Sequence, residues 1–206
     1  MIISDDGKRA VESAIAKAEQ GTSGEIVAVI ANASGDYYYV PYMWAALLAL
    51  IVPWPLIYLT WMPVQDIYVL QLAVFAAFAI ALHYPPLRFA LVPKAVMRRR
   101  AHQRAVEQFV AQDIYTTAGH TGVLLFVSVA ERYAEIVVDQ AIHAKVPDKE
   151  WQDIIASLTA TIGRGDPVAG LIAAIGRIGE HLAAHFPPTP DKQNLLPNHL
   201  VILGTD

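Results

Sequence analysis

Asp139, Asp148, Glu150 and Asp153 lie within fifteen residues of one another. Carboxylates at that density could hold a hard divalent cation, Ca²⁺ or Mg²⁺, which takes several oxygen ligands. Asp139, Asp148 and Glu150 are the candidate ligands and candidate catalytic groups. Each also has a structural use: Asp148 reads as a helix N-cap, and carboxylates in a first turn suit the helix dipole. His181 and His185, four apart, share a face of the last predicted helix. Glu180 precedes them, but the order E-H-x-x-x-H is not the H-E-x-x-H of zinc proteases. No third ligand is evident, and cationic histidines suit a helix C-terminus. With no cysteine in the chain, thiolate metal sites, disulfides and cysteine nucleophiles are excluded. No G-x-S-x-G elbow, phosphate-binding P-loop or dinucleotide fingerprint is present.

The elements that must position these groups are made of two materials. Residues 40–92 carry two charges, Asp66 and Arg88, among 53 residues, and the other 153 carry 32. A run of about 20 apolar residues is enough to cross a ~30 Å hydrocarbon core as a helix. Residues 42–61 and 67–84 meet that length, with a kink expected at Pro53 and Pro55 and a polar turn between the two segments. Pro85 and Pro86 end the second. Tyr37, Tyr38, Tyr39, Tyr42 and Tyr84 mark one aromatic belt; Trp54, Tyr58, Trp61 and Tyr68 mark the other. The turn has no Lys or Arg, whereas the flanks hold Lys8, Arg9 and Lys17 before, and Arg88, Lys94, Arg98, Arg99, Arg100 and Arg104 after. The positive-inside rule then places both termini in the cytoplasm and only the turn outside. The basic cluster reads as a contact for anionic headgroups, with Arg88, Lys94, Arg98, Arg99, Arg100, Trp54, Trp61 and Tyr84 as the membrane-contacting set. A net charge of −4 argues against a nucleic-acid partner. The first six residues lack the basic and apolar regions of a signal peptide. Gln71 aside, the crossings offer small residues for packing, Ala45, Ala46 and Ala49 against Ala73, Ala76, Ala77 and Ala81, and a route to self-association.

The rest reads as a soluble α/β domain. A helix over residues 4–20 capped by Ser4 or Asp5 precedes a strand over 25–30. Pro93 opens a helix to about Ala111 with Val106, Phe109 and Val110 inward. Residues 122–129 form an apolar strand covered on both faces, paired as a hairpin with 133–138. A helix from Asp148 buries Trp151, Ile154, Ile155, Leu158 and Ile162. Gly163-Arg164-Gly165 ends it, and Asp166 with Pro167 starts the last, with Val168, Leu171, Ile172, Ile175, Ile178 and Leu182 inward. From Pro187 to residue 206 the chain reads as an extended tail in which Leu200-Val201-Ile202-Leu203 can dock. The fold class is a small sheet covered by helices, α+β within the broader α/β class, with a two-helix transmembrane hairpin inserted. The segments are 1–36, the first helix and strand; 37–92, the hairpin; 93–186, the remaining domain; and 187–206, the tail.

Three blocks resemble the TPM domain family. These are residues 18–27; Gly122 to Val129 with Glu135 to Val138; and Pro147-Asp148, Trp151, the turn from Gly163 to Asp166, and Gly170-Leu171. Some family members are assigned acid phosphatase activity and bind calcium near a glycine-rich acidic segment, G-x-G-L-E-G-x-L-P-D, whose last aspartate matches Asp148. Here Asp139, Ala141 and Ala144 stand in place of the glycines and His143 in place of the glutamate. Glycine there would permit a close backbone approach that these side chains oppose. The intact core pattern beside this altered site pattern, with the apolar hairpin and its basic flanks, predicts a membrane-anchored binding or regulatory module at the cytoplasmic face of a bacterial inner membrane, needing no cofactor. Its partners would be the anionic bilayer, an unidentified protein and another copy of the chain. The alternative is a metal-dependent acid phosphatase-like hydrolase using Asp148 with Asp139 or Glu150.

Overall fold

A computed structural model describes residues 3–82, 84, 89–117, 119–188, 196–197 and 199–204. Arg88 and the tail from 189 to 195 lie outside them. The chain divides into two compact units, residues 1–34 with 98–206, and residues 35–97.

In the first unit, α1 (Asp5–Glu19) starts where Ser4 Oγ accepts the Gly7 N–H at 3.2 Å. Asp5 and Asp6 at its first turn and Lys17 at its last complement the dipole. Two bonds, one local and one long-range, fix the turn that follows. Glu19 Oε1 accepts the Ile26 N–H at 2.8 Å, and Thr22 Oγ1 donates to the Phe186 carbonyl at 2.6 Å. Strand β1 (Glu25–Ala31) runs parallel to β2 (Gly122–Ser128), and β2 pairs antiparallel with β3 (Tyr133–Val138). The expected hairpin is therefore present.

The tail segment forms β4 (Leu200–Leu203), parallel to β1, so the sheet order is β3-β2-β1-β4. Every residue of β1 and β2 is buried, as expected of strands covered on both faces. Alternate residues serve the two layers. Ile26, Ala28, Ile30, Val123, Leu125 and Val127 face one core, shared with Ile15 of α1 and with α7 (Asp148–Gly163) and α8 (Pro167–His185). Val27, Val29, Leu124 and Phe126 face a second core with Ala105 and Phe109 of α5 (Lys94–Ala111).

Helix α5 departs from the sequence expectation. Phe109 packs inward, but Val106 and Val110 are exposed, and the buried face is Ala101, Ala105 and Gln108. Small residues on that face let the helix lie close to the sheet. On α8 the inward stripe holds except at Ile172, which is exposed. A four-residue helix α6 (Gln140–His143) follows β3. Between α7 and α8, Gly165 takes φ +92°, the left-handed position that favours glycine, and Asp166 Oδ1 caps α8 by accepting the Ala169 N–H at 3.0 Å.

The second unit holds α2 (Tyr39–Ile51), α3 (Pro53–Leu59) and α4 (Val64–Leu82). The break between α2 and α3 falls at Val52, just before Pro53, which lacks an amide donor. Counted together, Tyr39–Leu59 and Val64–Leu82 are long and apolar enough to cross a membrane by length and composition, each with mean hydropathy 1.8. Both begin a few residues earlier than expected; Val64, Gln65 and Asp66, read as turn, already belong to α4. α2 packs on α4. Ala45 and Ala49 are buried, whereas Ala46, Ala73, Ala76, Ala77 and Ala81 are exposed, so these four alanines of α4 do not form its packed side.

Candidate functional site

The three carboxylates singled out from the sequence each face a different histidine. Asp139 caps α6 by accepting the Gln140 N–H at 2.7 Å, and its other oxygen lies 3.2 Å from His120 Nδ1. Asp148 lies 3.6 Å from His143 Nδ1, and Glu150 lies 3.6 Å from His181 Nε2. Asp148 is the first helical residue of α7 rather than its N-cap; Pro147 holds the cap position, and no side chain bonds there. Its carboxylate is 71% exposed and suits the positive end of the helix without holding it. Among the described residues, no three His, Asp or Glu side chains converge to hold one ion. A hard cation takes six or more oxygens, so this dispersed donor set does not fit one. Among the described residues the His185 ring has no hydrogen-bond or ion-pair partner, and it ends α8 next to the Phe186 cap.

A different constellation forms where β3 begins. His102 on α5 places Nδ1 at 2.9 and 3.0 Å from the two oxygens of Glu135, and the Tyr133 hydroxyl donates to Glu135 at 3.0 Å. Strand alternation puts Tyr133 and Glu135 on one face of β3, toward α5. Burial, reinforced by the neighbouring Glu135 charge, raises the Tyr133 pKa above the ordinary tyrosine range, and Arg98 offsets part of this. The cluster therefore joins a neutral phenol, a carboxyl group and an imidazole.

This cluster borders a groove of about 650 Å³ running between β3 and α7. Its β3 side includes Tyr133, Glu135 and Ile136, and its α7 side includes Asp148, Trp151 and Ile155. β3 is a terminal strand of the sheet, so its outer edge has no strand partner among the described residues. A second cavity of about 400 Å³ continues past Tyr133 and Ala134 to Thr159 and Gly163, along the same helix. The Trp151 ring stands edge-on to His181 at 5.8 Å, and its buried Nε1 has no hydrogen-bond partner among the described residues. An open strand edge beside an apolar-floored groove is suited to receiving an extended segment, whose backbone would pair with the edge.

Sequence reasoning placed Asp148 and Trp151 on one helix but did not identify His102, Tyr133 and Glu135 as a cluster. The available signal was Glu135, an acid within an otherwise apolar strand. Its partner lies 33 positions away, beyond any local spacing rule.

The residues expected from the sequence to contact a membrane divide between the units. Trp54, Trp61 and Tyr84 are exposed in the unit of residues 35–97, as are most of its large apolar side chains. Lys94 also belongs to that unit, and Arg98, Arg99 and Arg100 open the return to the other; all four are exposed.

Residues 85–181 match the family model described as the TPM domain. Among solved structures, the chain is similar to the NMR structure of BA42 protein from the psychrophilic bacterium Bizionia argentinensis. That likeness has a TM-score of 0.62 at 20% identity and covers 97% of this chain and 94% of that one. At this identity it concerns the fold. No curated protein matches the chain.

Proposed function

We propose that this chain, which carries a TPM domain, is a membrane-anchored binding module facing the cytoplasm of a bacterial inner membrane. The observation that carries the reading is the contrast between its two units. One exposes aromatic and aliphatic side chains along helices of membrane-spanning length; Trp61 and Leu59 are almost fully exposed, and Tyr58 largely so. Exposed apolar surface on that scale marks an interaction with lipid or protein. The other unit keeps a groove along a free strand edge, while its acidic residues are dispersed among separate histidines.

In this reading residues 39–59 and 64–82 cross the bilayer, and Trp54, Trp61 and Tyr84 sit at its interfaces. Lys94, Arg98, Arg99 and Arg100 meet anionic headgroups on the cytoplasmic side, with Arg88 adding to them by sequence. A protein segment occupies the groove, and the exposed small residues of α4 permit pairing with a second copy. The competing reading is a hydrolase of phosphomonoesters built on Asp148 with Asp139 or Glu150 and supported by Ca²⁺ or Mg²⁺.

The two are separated by assaying purified full-length protein on a generic phosphomonoester, with and without each cation, beside Asp148→Asn. The binding module predicts no turnover above that of the folded variant. Turnover that Asp148→Asn abolishes would replace it with the hydrolase.

A further inference from the structure

Arg100, Gln103 and Arg104 occupy successive positions on one face of α5, at i, i+3 and i+4. With Ser34 and Glu107 they line a cavity of about 230 Å³ with almost no apolar surface. Ser34 is held in place on the far side. Its N–H donates to Glu131 at 2.8 Å, and its hydroxyl donates to Ser128, which in turn donates to Glu131. Ser34 therefore forms a fixed wall with both donors already committed. Arg104 is shared, 3.2 Å from Glu107. No hydrogen bond or ion pair is found for Arg100 or Gln103 among the described residues. The cavity thus offers one uncommitted guanidinium, one uncommitted amide and a second guanidinium balanced by a single carboxylate.

We infer that this cavity binds a terminal phosphate group, from an anionic phospholipid headgroup or from free phosphate. A planar guanidinium fork matches phosphate oxygens bidentately, and an adjacent amide N–H supplies a third donor. The location agrees with a headgroup: Ser34 is the last residue before the apolar unit, and Arg98 is the first after it. The inference rests on the membrane-anchored reading and deepens it, since it replaces a diffuse basic surface with a shaped site.

The test is calorimetric titration of the detergent-solubilised full chain with dihexanoyl phosphatidic acid and with inorganic phosphate, using dihexanoyl phosphatidylcholine as control. Saturable binding of phosphatidic acid, weakened about tenfold or more by Arg100→Gln and roughly threefold to tenfold by Gln103→Leu, is expected from the loss of one charged and one neutral hydrogen bond. Gln103→Leu leaves the charge unchanged, so a diffuse electrostatic field would not register it. The same pattern with inorganic phosphate alone would also support the site and assign it to a solute. Wild-type binding by Gln103→Leu, binding equal to that of phosphatidylcholine, or no saturable binding would overturn it. Alkaline carbonate extraction of membranes separates this from the parent reading. A chain that stays in the membrane without Arg100-dependent binding removes only the cavity, whereas a chain that is released removes the anchor.

Discussion

A carboxylate at a helix start has two distinct roles in this chain. Asp166 caps α8 through a 3.0 Å bond from the Ala169 N–H, whereas Asp148 sits one position inside α7, 3.6 Å from His143. Asp166→Ala should cost about 1 kcal/mol, the usual cap contribution. Asp148→Ala should cost no more than about 0.5 kcal/mol, the scale of an exposed charge near a helix end. Denaturant midpoints followed by circular dichroism in mild detergent compare them, and a larger loss at Asp148 would show its carboxylate bearing structural load. Tyr133 gives a second residue-level test. Its raised pKa means that the folded state keeps a proton the unfolded chain sheds above about pH 10. The unfolded state then binds fewer protons, so stability falls as pH rises through that region and is unaffected below it. Tyr133→Phe should flatten the decline between about pH 10 and 12, relative to wild type in the same denaturation series. Parallel curves would remove Tyr133 from the linkage.

At the scale of elements, α1 and α8 approach through Gly179, where a Cβ would lie 2.8 Å from Ala18 Cβ. Gly179→Ala should therefore destabilise by about 1–3 kcal/mol through overpacking. Gly176, three residues earlier, has nothing within 4 Å of the added carbon. Gly176→Ala should stabilise by about 0.5–1 kcal/mol, because alanine has the better helix propensity. Opposite signs from one helix test the packing direction; two losses would place Gly176 at a contact. These helices were legible because local signals coincide: Ser4 and Asp166 as caps, Pro167 just inside α8, Gly165 just beyond α7. The β2–β3 hairpin was legible for the same reason, from two β-rich runs joined by a short turn. Other features depend on distant partners. Whether β4 pairs with β1 cannot be read from Leu200–Leu203, since a parallel partner so far away in sequence leaves no local mark. On α5 the apolar pattern points to Val106 and Val110, yet close approach to the sheet selects Ala101 and Ala105. The candidate carboxylates were legible as residues, but their separation among His120, His143 and His181 is set by tertiary placement.

For the whole molecule, the proposed anchoring is tested by which side of a membrane the turn and the flanks of the apolar unit reach. The turn between Leu59 and Val64 carries no basic residue, and the flanks of the apolar unit carry many. Translocating the flanks would move that positive charge across the bilayer, whereas translocating the turn moves none. The absence of native cysteine makes single introduced thiols unambiguous reporters. Gln65→Cys, in the first turn of α4, should react with a membrane-impermeant maleimide on intact spheroplasts. Lys149→Cys, exposed on α7, should react only after permeabilisation. The reverse pattern would invert the orientation and place the strand-edge groove outside the cytoplasm. Reaction of both before permeabilisation would separate the units across no barrier, and the exposed Trp54, Tyr58 and Trp61 would then have to be covered by protein. Reaction of neither would require α2–α4 to enter and leave from the same face. The positive-inside argument fails for the reverse pattern, because there Lys94 and Arg98–Arg100 lie across the bilayer from the anionic leaflet that would attract them.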